Sequence, residues 1–155
     1  MALTDHPRPA AAAPAMRRTA VLAIGDALAF MIFAAIGRAS HSEAAGLDAI
    51  LQIAETAAPF AISWFVVAPL TGAFKAETSD PRSMLMHSAL AWLLAWPLGL
   101  ALRALFRHSG IPITFAIITL ITVMIILLGW RGAFAWLTAR RNARTGGAAE
   151  SGRLG

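Results

Sequence analysis

Four apolar runs, at about residues 20–37, 49–74, 83–106 and 111–137, constrain this chain more than any other feature. The shortest is 18 residues long, which at helical rise covers ~27 Å, close to the ~30 Å hydrocarbon core of a bilayer. Inside hydrocarbon no water satisfies backbone polar groups, so a spanning segment is either a helix or a strand of a closed barrel. No segment carries the ten-residue alternation of a barrel strand. The runs therefore predict an all-α integral membrane protein. Short loops over 38–48, 75–82 and 107–110 join neighbours that run in opposite directions, giving an antiparallel four-helix bundle.

Composition agrees with a lipid environment. Only 14% of residues are charged, against ~25% in soluble domains. The absence of cysteine excludes a disulfide scaffold and a thiolate metal or redox centre. The net charge of +5 would fit a nucleic-acid binder, but twelve of the thirteen basic residues are arginines, and most flank the apolar runs. That placement is a topology signal, and no nucleic-acid partner is expected. With the amino terminus inside, Arg8, Arg17, Arg18, Lys75, Arg82, Arg131, Arg140, Arg141, Arg144 and Arg153 fall on the inner side. Only Arg38, Arg103 and Arg107 fall outside. Ten against three predicts both termini in the cytoplasm.

The ends read as appendages. Residues 1–18 form a proline- and alanine-rich flexible cytoplasmic lead, residues 19–137 the membrane domain, and residues 138–155 a disordered basic tail. The first run is longer than a signal-peptide core and contains Asp26, so it is expected to be retained.

Helices in lipid associate through small residues that allow close approach. The third run carries Ala91, Ala95 and Gly99 at four-residue spacing, the second Ala54 with Ala58 and Ala57 with Ala61, and the first Gly25 with Ala29 and Ala23 with Ala27. These three are expected to form the tight core. The isoleucine-rich fourth run should face lipid over much of its circumference. Trp130 and Trp136 fall where an interfacial belt would place them. Trp92 and Trp96 share a helix face and either fill the bundle or line a ligand pocket.

Ionisable groups within spans cost at least ~2.5 kcal/mol each when central and need interior partners. Asp26 and Arg131 both lie toward the inner side and are expected to pair. Toward the outer side gather Arg38, His41, Glu55 and Arg103, and by depth Glu55 and Arg103 can meet. Pro59, Pro69 and Pro97 each release a carbonyl four residues earlier, among them that of Glu55. Two readings stay open: structural ion pairs with helix kinks, or a polar cavity for a proton, ion or small anion. His41 and His108 lie at outer ends and His87 near the inner side, so no metal or haem pair forms across the core, and no cofactor is expected. Ser40, Ser42 and Ser63 lack a nucleophile-elbow setting, and no phosphate loop is present. No catalytic constellation recommends an enzyme.

These residues occur in an ordered set: GDALAF with Asp26, IGRASH at 36–41, APF at 58–60 followed by Trp64 and Pro69, WPLGLALR at 96–103, Thr114 with Phe115, and GWR ending in Arg131. Over about residues 19–136 the chain resembles the bacterial membrane-protein family catalogued as domain of unknown function 3054. The resemblance implies a small multi-span membrane protein without an assigned activity. The polar residues that recur in that family coincide with Asp26, Arg38, His41, Arg103 and Arg131; Glu55 is less clearly part of its pattern. Two functional expectations follow: a small transporter or channel subunit, forming a homo-oligomer, or a non-catalytic scaffold subunit that packs its small-residue grooves against a larger membrane complex.

Overall fold

The computed structural model describes residues 12–39, 46–75, 80–108 and 110–151. It has four helices: α1 (Ala12–Ala39), α2 (Leu47–Leu70), α3 (Pro81–Arg107) and α4 (Ile113–Ser151). Each is long and apolar enough to cross a membrane, and the described residues contain no strand. The chain is a multi-pass membrane protein.

Local chemistry sets the helix ends. Asp80 caps α3, accepting a hydrogen bond from the Ser83 amide at 3.0 Å, with Pro81 in the first turn, where a missing N–H costs nothing. At its other end His108 turns the chain with φ 48°, in the left-handed region. α2 stops at Leu70, short of residue 74, where the apolar run ends. Gly72 takes φ 79°, its amide bonds to the Pro69 carbonyl at 3.1 Å, and the Ala73 amide bonds to the Ala68 carbonyl at 2.9 Å. This paired closure is the Schellman motif, and glycine is the residue that adopts its turning position without strain.

Helix begins at Ala12, within the segment read as a flexible lead, and α4 continues to Ser151 through the segment read as a disordered tail. Propagation favours this: a helix already nucleated by its apolar span extends through alanine- and arginine-rich sequence, against about 1 kcal/mol for each of Gly146 and Gly147. At 39 residues α4 is ~58 Å long, so part of it projects beyond a ~30 Å hydrocarbon core.

The fourth helix is also not peripheral. α1 packs against α2 and α4, and α3 against α2 and α4, so α4 closes a ring of helices. Its buried residues Thr119, Val123, Leu127, Arg131 and Ala135 recur every four positions, while Ile117, Ile118, Ile121 and Ile125 remain exposed. Bulk and packing therefore occupy different faces of one helix.

The middle of the bundle is aromatic. Phe30 lies 6.2 Å from Trp64 and 5.7 Å from Trp92, and Phe60 lies 6.1 Å from Phe33, 6.2 Å from Trp92 and 6.1 Å from Phe115, centroid to centroid. Such tilted and edge-on pairs suit the ring quadrupole. The indole nitrogens of Trp92 and Trp96 donate to the carbonyls of Leu120 and Ala116 at 3.0 and 3.1 Å, fastening α3 to α4. The small-residue stripe of α3 is used internally: Ala91, Ala95 and Gly99 are buried, and a Cβ on Gly99 would lie 2.5 Å from Phe60 and 3.0 Å from the Ser63 hydroxyl. Gly25 serves α1 in the same way, since a Cβ there would overlap the Trp130 indole.

Candidate functional site

Polar groups gather at the two ends of the bundle, separated by the aromatic layer. At the end that holds the α2–α3 turn, Asp26 on α1 and Arg131 on α4 are both fully buried. Arg131 donates from Nε to Asp26 Oδ1 at 3.0 Å and from Nη2 to Oδ2, a two-pronged geometry that matches guanidinium to carboxylate. Its Nη1 donates to the Ala73 carbonyl at 2.8 Å and to the Ser88 hydroxyl at 3.2 Å. Trp64 donates from Nε1 to Asp26 Oδ2 at 3.0 Å. The guanidinium carbon also lies 5.0 Å from the Trp64 ring centroid and 4.7 Å from that of Phe74. One cation thus ties together all four helices or the turn between them. Five hydrogen bonds converge on the pair, which is what makes a buried pair tolerable despite its desolvation cost.

Ala73 owes its place to the Schellman closure of α2, which turns a carbonyl at the negative end of the helix dipole toward the cation. Arg18 uses the same turn: its Nη1 donates to the carbonyls of Phe74 and Lys75, each at 3.1 Å. Ser88 donates to the Met84 carbonyl at 2.6 Å and accepts from Arg131 with the same oxygen.

At the opposite end all four helices line an open cavity of about 880 Å³. Its ionisable lining is Arg38, Arg103, Arg107 and Glu55, and its neutral polar lining includes Gln52, Thr56, Thr114, Thr119 and Thr122. Phe33, Ala34, Phe115 and Ile118 form apolar wall. Glu55 and Arg103 share this cavity but do not form an ion pair with each other. Instead the Arg103 guanidinium carbon lies 4.2 Å from the Phe115 ring centroid, an interaction that holds a cation at an aromatic wall. Thr119 is fully buried and its hydroxyl has no hydrogen-bond partner. A second, smaller cavity of about 260 Å³ adjoins Arg103 and Arg107 and the chain at Gly110, Ile111 and Pro112.

Of the six residues singled out from the sequence, Asp26 and Arg131 meet in the buried pair, and Arg38, Glu55 and Arg103 line the cavity. His41 lies outside the described residues. Trp92 and Trp96 pack against α4 and are not among the cavity-lining residues. His87 makes a local contact from Nδ1 to the Ser83 carbonyl at 2.8 Å. Among the described residues no group of three histidine or acidic side chains could hold a metal ion. The sequence reading missed Ser88, Trp64 as a donor, the Ala73 carbonyl, Arg107 and the threonines. The one available signal was Thr119 and Thr122, hydroxyls inside the most apolar run.

Residues 23–134, most of the chain, match the family described as protein of unknown function (DUF3054). No curated protein and no solved structure matches the chain.

Proposed function

The chain belongs to the DUF3054 family, and since the function of that family is unknown, we propose a function from the site itself: a small transporter or channel subunit that accepts an anion in its open cavity. The observation that carries this reading is the cavity lining, in which three arginines face one glutamate, giving a formal +2 among the described ionisable residues. Charges are expensive at membrane depth, and a cavity that concentrates one sign attracts the opposite one. The Asp26–Arg131 pair serves in this reading as the closed end of the path, below the aromatic layer.

We further propose an antiparallel bundle in a bacterial inner membrane with both termini cytoplasmic. Supporting the first point, contacts between α3 and α4 run in opposite numerical order: 96 with 116, 92 with 120, 88 with 131. Supporting the second is the distribution of ten basic residues against three. The cavity then opens outward and the ion pair lies near the cytoplasm. The scaffold alternative loses its main support, because the grooves of Gly25 and Gly99 are filled by Trp130 and Phe60.

The test uses the chain's lack of cysteine. In intact cells, Glu55→Cys and Thr122→Cys react with a membrane-impermeant maleimide added outside, while Ser88→Cys is labelled only after denaturation. Protection at both cavity positions overturns the reading.

A further inference from the structure

The cavity is much larger than one small anion needs and is only partly polar. Its arginines stand at one end, where Arg103 and Arg107 also border the smaller cavity beside the start of α4. The first amides of α4 lack intrahelical partners, and the positive end of its dipole lies at Thr114 and Phe115, both in the lining. Arginine forks combined with helix-terminal amides suit phosphate oxygens. Deeper in, Phe33, Ala34, Phe115 and Ile118 offer a wall that a hydrated ion would leave unused. Two lining residues, Ile36 on α1 and Ile118 on α4, are 54% and 59% exposed. They are side chains of membrane-spanning helices, so the cavity opens toward acyl chains as well as toward water.

The independent observation is Thr119. A fully buried hydroxyl without a partner costs about 1–3 kcal/mol, and a threonine in a helix ordinarily satisfies itself on a carbonyl one turn earlier. The Thr119 hydroxyl does neither, and Thr119 is one of the residues that line the cavity.

We propose that the cavity seats an anionic phospholipid, with its phosphate among Arg38, Arg103 and Arg107 and an acyl chain against Phe33, Phe115 and Ile118. Thr119 donates to an ester oxygen below the phosphate. This rests on the reading of the cavity as an anion site and names the anion's class: an amphiphile rather than a free ion.

The full-length protein, purified in mild detergent, is offered phosphatidylglycerol, phosphatidylcholine or inorganic phosphate, and lipid retention is read by native mass spectrometry beside thermal unfolding. Phosphatidylglycerol is expected to be retained at least about tenfold better than phosphatidylcholine and to raise the unfolding midpoint. The Arg103→Gln/Arg107→Gln variant loses that preference. Should this variant fold poorly, two single changes carry the same test. Arg107→Gln, at an exposed position, weakens retention several-fold. Thr119→Val raises the midpoint of the lipid-free protein, because an unsatisfied buried hydroxyl is removed, yet weakens retention. A structural role for Thr119 would not move the two readouts in opposite directions. Equal retention of both lipids, stabilisation by inorganic phosphate alone, or unchanged retention in the variants each overturns the proposal. Thiol labelling of the open cavity can still succeed in any of these cases, so failure of the lipid assignment is distinguishable from failure of the anion-site reading.

Discussion

Arg131 and Asp26, 105 positions apart in sequence, face each other edge to edge at zero exposure, joined through two nitrogens and two oxygens. The remaining terminal nitrogen of Arg131 turns the other way, to the Ala73 carbonyl that the end of α2 presents. The pair therefore locks α1 to α4 and both to the α2–α3 turn.

Breaking one side of the pair should be worse than removing both. Asp26→Asn leaves a buried cation without its counter-charge and is expected to cost about 3–5 kcal/mol. The double change Asp26→Leu with Arg131→Met replaces charge with apolar volume and should be less damaging than either single change. Thermal unfolding of the native protein, Asp26→Leu, Arg131→Met and the double variant in one detergent checks this. Additive losses would mean that the two residues act independently.

Trp64 contributes a donor as well as a ring. Trp64→Phe keeps an aromatic face near Arg131 but removes the hydrogen bond to Asp26 Oδ2, for an expected loss of about 1–3 kcal/mol. Trp92→Phe instead removes a bond to a backbone carbonyl and should cost less, since neither of its partners is charged. Comparison of their unfolding midpoints decides whether the buried carboxylate sets the difference.

Gly72 is required by backbone conformation. At φ 79°, Gly72→Ala places a side chain in the left-handed region at about 1–2 kcal/mol and disturbs the carbonyls that hold Arg131 and Arg18. Gly72→Asn, which tolerates that region better, should lie closer to the native protein. An equal loss for both substitutions would point to the space beside Lys75 rather than to conformation.

Gly25 is required by space. Gly25→Ala puts a methyl group where the Trp130 indole lies, and overpacking of this kind costs about 1–3 kcal/mol. Adding Trp130→Leu should recover part of the loss, and no recovery in unfolding measurements would argue against direct contact as the cause.

The cluster around Arg131 marks the boundary between what is legible in sequence and what is not. Span number, the need for interior partners at Asp26 and Arg131, and the charge asymmetry of the loops follow from hydropathy, helical rise and the cost of charge in lipid, which are properties of position along the chain. They identify a multi-pass membrane protein and two residues that must meet something. Tertiary structure decided what they meet. The Ala73 carbonyl has no sequence signature, because every residue carries a carbonyl and only the closure at Gly72 aims this one. The place of α4 in the ring depends on its rotation about its own axis, which puts Thr119, Val123, Leu127, Arg131 and Ala135 inward. Depth alone allowed Glu55 and Arg103 to pair. The four helices instead enclose a cavity there, and Arg103 lies over Phe115. Distances along one helix are fixed by its rise, whereas distances between helices depend on which faces the others offer.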